Sequence, residues 1–169
     1  LLELSAVIPE IPVPQDTKYV RRASVQSALL SAFWGRDVVL HAIVLVPEGF
    51  DENPQQRYPV AFLQGHFPAG LRSFRETPPD PGAKGEARRR QDGAYRFYQE
   101  WSAGRLPKML VMLTQHPTPY YDDSYGVNSA NMGPYGDALT RELYPEVERR
   151  FRAIGEPWAR VLFGGSTGG

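Results

Sequence analysis

The last nine residues, VLFGGSTGG from Val161 to Gly169, set Ser166 between two glycines, Gly164 and Gly168, each two positions away. A serine on a sharp strand-to-helix turn is held in a strained backbone that pushes its hydroxyl out beyond the sheet, and the flanking glycines clear the space this turn needs. The chemistry open to such a hydroxyl is nucleophilic attack on an acyl carbon. A Gly/Ser linker or an expression scar has a similar composition. The apolar RVLF before the glycines favours the turn, because a linker needs no buried strand leading into it. A phosphate-binding loop is excluded, since no lysine precedes the Ser-Thr pair.

Acyl transfer also needs donors for the charge that develops on the carbonyl oxygen: one N–H after the nucleophile and one from the turn that follows an earlier strand. The amide of Thr167 is the first candidate. FLQGHF supplies the second, because Gly65 lets the backbone approach closely and leaves the amide of His66 to donate. The plainer reading of FLQGHF is a strand end with a partly exposed histidine.

A third stretch, HPTPYYDDSYGVNSANMG from His116 to Gly133, follows an apolar strand at the end where open α/β sheets bind ligands. Tyr120, Tyr121 and Tyr125 could stack on a sugar or an aromatic acyl group, and Asp122 with Asp123 could accept bonds from hydroxyls. A self-packed loop capping the next helix accounts for the same residues equally well. Adjacent carboxylates point apart, which makes Asp122 and Asp123 a poor calcium site. Three scattered histidines without cysteine form no zinc pattern. No metal or cofactor is expected. His41, within VVLHAIV, reads as packed or solvent-facing, and the Arg88–Arg90 run reads as a solvated face.

These residues need elements to hold them. KYVRRASVQS, Lys18 to Ser27, has the broken alternation of a partly exposed strand, and Val38, Leu40, Ala42, Val44 and Val46 alternate strictly up to Pro47. YPVAFLQG and KMLVMLT are short continuous apolar runs suited to strands buried on both faces. From Phe67 to Gln91 the chain is rich in proline, glycine and charge and reads as a surface excursion. Tyr95, Tyr98 and Trp101 predict a short amphipathic helix that ends at Gly104. A longer helix is expected from Gly133 to Gly155, with proline just inside it. Leu139, Leu143, Val147 and Phe151 form its apolar stripe, with Ile154 close behind, while Arg141, Glu142, Glu148 and Arg149 face water. Pro145 is expected to kink it. RVLFGG then forms the last strand. Two N-terminal strands followed by strand, helix, strand, helix, strand imply an α/β fold with parallel strands joined by helical crossovers.

The totals agree with one domain. A chain of 169 residues with 41% hydrophobic and 12% aromatic content has enough apolar material for a core. Nineteen basic and nineteen acidic side chains cancel, so no net field attracts nucleic acid or an anionic membrane, and a small molecule is the expected partner. No apolar run reaches the ~18 residues of a membrane span. Cysteine is absent, which rules out disulfides and a thiolate nucleophile. The N-terminal stretch has neither an initiator methionine nor the basic start of a signal peptide, so a processed or truncated front is expected.

WGRDVVLHAIVLVPEGFD, YPVAFLQGHFP, YYDDSYGVNSANMGPYGDALTRELYPEVERRFR and GGSTGG together resemble the esterase branch of the α/β-hydrolases that includes enterochelin-esterase-like, esterase-D-like and mycolyltransferase-like proteins. The resemblance runs from about Lys18 to the end of the chain, with residues 1–17 left as an N-terminal extension. It implies a serine hydrolase acting on small-molecule esters, with Ser166 as nucleophile and the amides of His66 and Thr167 as oxyanion donors. It also implies a bacterial, exported enzyme, although the residues themselves leave the compartment open.

In that family the acid and the histidine of the triad follow the nucleophile, whereas this sequence runs only three residues past Ser166. The expectation is therefore the N-terminal part of an α/β-hydrolase domain, with a mostly parallel sheet, antiparallel N-terminal strands and flanking helices, inactive by itself. A non-catalytic hydrolase-like scaffold, a ligand-binding module and an incomplete gene fragment are the alternatives. His116 is expected to shape the loop or contact substrate more than to serve as base. An uncovered edge on the last strand would favour self-association.

Overall fold

The computed structural model describes residues 14–65, 70–121 and 123–165. In chain order these form β1 (Val20–Gln26), α1 (Ala28–Trp34), β2 (Val39–Leu45), β3 (Val60–Gln64), α2 (Gly85–Ser102) and β4 (Leu110–Gln115). There follow the short strands β5 (Asn128–Ser129) and β6 (Gly133–Pro134), helix α3 (Tyr135–Ala138), a π-helical segment at Leu139–Leu143, helix α4 (Tyr144–Arg150) and strand β7 (Arg160–Gly164).

Five strands make a mixed sheet in the order β1-β2-β4-β3-β7. β1 with β2 and β2 with β4 pair antiparallel, whereas β3 runs parallel to both β4 and β7. The strand periodicity places alternate side chains on opposite faces. Leu40, Ala42, Val44, Val60, Phe62, Leu110 and Met112 pack with Leu30, Tyr135, Leu139, Leu143, Val147 and Phe151 into the larger core on the face covered by α1, α3 and α4. On the opposite face Leu45 and Val111 meet Trp101, Phe74, Phe97 and Tyr98, so α2 and its lead-in cover that side. Trp101 is fixed there by donating its indole N–H to the carbonyl of Val46 at 2.7 Å. No described helix is long and apolar enough to cross a membrane.

Two expectations are corrected, and one helix had not been expected at all. Residues 85–91 begin α2 and do not belong to a surface excursion, because Glu86–Arg90 and Arg88–Asp92 ion pairs four apart supply the local support that apolar periodicity lacks there. ALLSAFW, unassigned by pattern, is a helix whose N-cap Ser27 accepts from Leu30 N–H at 3.1 Å. Glu142 and Glu148 do not face water. Glu142 receives bonds from the Ser27 hydroxyl and Leu29 N–H at the start of α1, and Glu148 takes a two-point contact from Arg160 at 2.6 and 2.8 Å.

The apolar stripe at 139, 143, 147 and 151 is buried throughout. Positions four apart drift about 40° per turn around a regular α-helix. The wider π turn takes up part of that drift and lets Tyr144 N–H reach back to Leu139 C=O. It also places Pro145 in the first turn of α4, where its missing donor costs little.

Candidate active site

The parallel pair β3–β7 matches Val60 to Arg160 and continues in step to Gln64 opposite Gly164. Gln64 and Gly164, the first residues of the two stretches singled out for chemistry, therefore share one rung at the carboxyl ends of neighbouring strands. This is the end at which open α/β sheets gather ligand-binding residues. A Cβ built on Gly65 or Gly165 would meet nothing within 4 Å, so crowding by the described residues demands glycine at neither position. His66, Asp122, Ser166, Thr167 and Gly168 lie outside the described residues.

Beside these strand ends sits a polar cluster in which His116, Asp123 and Ser124 are buried and Gln64 is half-buried. His116 directly follows β4, and only 4% of its surface is exposed. Its Nδ1 lies 3.2 Å from Asp123 Oδ1 and 3.0 Å from Ser124 Oγ, and its Nε2 lies 3.1 Å from the side-chain nitrogen of Gln64. Asp123 also accepts the Tyr125 N–H at 2.7 Å, while Ser124 N–H reaches the His116 carbonyl at 3.3 Å. These bonds tie His116 to residues 123–125.

The nearby carboxylate favours a proton on Nδ1, and in a neutral ring Nε2 is then an acceptor that takes a hydrogen from the Gln64 amide. Burial pushes the His116 pKa below its usual value, with the Asp123 charge partly opposing that shift, so the neutral ring is favoured.

Serine, histidine and aspartate side by side have the composition of a catalytic triad, but Ser124, His116 and Asp123 lack its geometry. In a triad the acid and the serine occupy different ring nitrogens. Here both meet Nδ1, and Ser124 is fully buried. The cluster is a brace.

The outer part of the same loop is open. Tyr120 is 73% exposed, with its ring 5.4 Å from that of Trp34, and Tyr121 is also exposed. Thr118 holds this tip by accepting from Tyr121 N–H at 2.7 Å. The loop base is pinned by Tyr135, whose hydroxyl donates to the Pro117 carbonyl at 2.8 Å and whose pKa burial pushes up to about 12. The base of the long loop is packed: Asp123, expected as an acceptor for substrate hydroxyls, is instead buried against His116 and Tyr125 N–H, while Tyr120 and Tyr121 at the tip are in solvent. Among the described residues no three His, Asp or Glu side chains group as a metal site.

Sequence reasoning missed Gln64 and Ser124. The available signal for Gln64 was a single amide-bearing residue ending an otherwise apolar strand. Ser124 gave none beyond its place after Asp123.

β7 lies at the edge of the sheet and packs poorly on both faces. Val161, Leu162 and Phe163 are all exposed, Leu162 by 78%. Leu162, Phe62, Tyr144, Pro145, Glu148 and Arg160 border an open cleft of about 460 Å³ on the α4 side.

No family description and no curated protein matches this chain. Solved structures do. A ferulic acid esterase superposes with a TM-score of 0.61 at 16% identity, over 88% of this chain and 49% of its own. A ferulic acid esterase from Anaeromyces mucronatus in complex with ferulic acid superposes with a TM-score of 0.50 at 17% identity, over 93% of this chain and 53% of its own. The chain spans about half the length of the solved structures it matches, and at these identities the likeness is one of fold.

Proposed function

We propose that this chain carries the nucleophile and the oxyanion turn of a serine hydrolase acting on carboxylic esters. One observation supports the reading above the others: Gln64 and Gly164, which precede the two glycine-containing stretches, are paired on adjacent parallel strands. Ser166 Oγ attacks the acyl carbon and loses its proton to a base, forming a tetrahedral oxyanion. The amides of His66 and Thr167 donate to that oxyanion. Collapse expels the alcohol, which takes up the proton, and water then releases the acid from the acyl-enzyme. No residue of this chain is proposed as the base or its acid partner, which in the family resembled come after the nucleophile. His116 is not proposed as base, because both of its ring nitrogens are committed to the brace.

Aromatic acyl esters are the first substrates to try. Two neighbours in fold are ferulic acid esterases, and Tyr120 with Trp34 offers a ring surface near the strand ends. The test is labelling of the full-length protein with a fluorophosphonate, alongside hydrolysis of methyl ferulate and p-nitrophenyl acetate. Labelling and turnover are expected to disappear in Ser166→Ala. Labelling that persists in that variant removes Ser166 from the mechanism, and a folded wild type that neither labels nor turns over favours the scaffold reading.

A further inference from the structure

We infer that His116 and Gln64 form a positioning device for the oxyanion turn; the inference rests on the esterase reading above. Gln64 is the last residue of β3 and stands immediately before Gly65, so whatever holds its side chain also holds the start of the turn that carries the proposed donor amide.

Its amide is held on two sides. The Nε2 of His116 accepts from it at 3.1 Å, and Gly126 leaves it room, since a Cβ at that position would come within 2.6 Å of the Gln64 nitrogen. Gly126 has φ +64, and its N–H donates to Ser124 Oγ at 3.2 Å, so the backbone under the amide belongs to the same loop.

His116 cannot easily swing away. Nδ1 faces Asp123 and Ser124, the ring is buried, and β4, from which it emerges, pairs with β3 from Leu110 to Leu113 and with β2 on to Gln115. The line Asp123–His116–Gln64 therefore ties the loop after β4 to the end of β3 through three side chains. An oxyanion donor works through position, and small displacements of a positioned group carry large rate penalties.

Gln64→Met is the decisive variant. It keeps the side chain's length, removes its amide, and leaves the His116–Asp123 pair intact. In the full-length protein kcat on an activated ester is expected to fall roughly 10- to 100-fold, the range for a misplaced catalytic group, with KM and the melting temperature little changed. His116→Leu should lower kcat comparably. His116→Gln, which can still donate to Asp123 and accept from Gln64, should recover part of the loss. The Gln64→Met/His116→Leu double variant should be no slower than the worse single variant.

Wild-type kcat in folded Gln64→Met overturns the inference, and so do equal rates for His116→Leu and His116→Gln. If wild type neither labels at Ser166 nor hydrolyses esters, the esterase reading fails first and takes the positioning role with it; that result is distinguishable because no variant is needed to see it.

Discussion

Gln64 and Gly164 face each other on the last paired rung of β3 and β7. A one-residue slip between these strands would move Gln64 off Gly164 and reverse the faces of every β7 side chain, so the observed register is what brings Gly65 and Gly165 out on neighbouring strands. With Ser166 as the attacking group, Ser166→Ala in the full-length protein is expected to lower kcat by about 10⁶-fold, the scale on which removal of a serine nucleophile acts. Steady-state hydrolysis of methyl ferulate gives the measurement. A loss of less than tenfold would place the chemistry elsewhere.

The free side of β7 has a different consequence. Its outer edge has no strand partner among the described residues, and Leu162 and Phe163 are 78% and 66% exposed. An open edge with apolar side chains invites strand pairing between copies. The 169-residue chain is expected to self-associate at micromolar concentration, and Leu162→Lys with Phe163→Glu should shift it toward monomer. Sedimentation velocity reads this directly, and a monomeric wild-type chain would contradict it.

The sheet was legible because its strands are written as runs of Val, Leu and Ala with clear ends, such as VVLHAIVLVP, and because Leu139, Leu143 and Val147 repeat at helical spacing. Helix α1 and the first turns of α2 were not legible. ALLSAFW is too short to establish a period, and GEARRRQ owes its helicity to charge pairs and not to an apolar face. At the candidate site, GGSTGG and QGH announced themselves by residue type, and the rung joining them is a property of pairing that no local pattern contains. The His116 brace was hidden for the same reason. Its members stand 52 and 7 positions from His116, at Gln64 and Asp123, and a histidine meeting a glutamine across two strands has no signature in either segment.

Gly126 tests the brace from beneath. Its φ of +64 lies in the left-handed region, and a methyl group there would meet Gln64 Nε2 at 2.6 Å and Leu139 Cδ1 at 3.2 Å. The backbone strain of Gly126→Ala costs about 1–2 kcal/mol. Relief of the contact must come from the Gln64 amide, which then loses His116. Chemical denaturation should register the stability loss. Under the proposed esterase reading kcat should fall along with it, whereas Gly35→Ala, also at positive φ but with no neighbour within 4 Å, should cost stability without touching kcat.

His116 also predicts an acid sensitivity whose sign follows from its environment. Burial lowers its pKa in the folded state, so the folded protein resists the proton that the unfolded chain accepts at about pH 6.5. Between the two pKa values the unfolded state binds more protons, and stability therefore rises with pH. The contribution is complete above about pH 6.5 and is lost as pH falls toward the folded value. Carboxylates held low by partners, Glu48 beside Lys18 and Glu146 beside Arg149, add a further loss at more acidic pH that should be common to wild type and variant. Melting temperatures measured from neutral pH downward should therefore fall more steeply through the histidine range for wild type than for His116→Gln, with the two curves running parallel at lower pH. Equal slopes through the histidine range would mean that His116 is free to protonate in the folded protein, and the neutral Nε2 acceptor on which the brace depends would have to be given up.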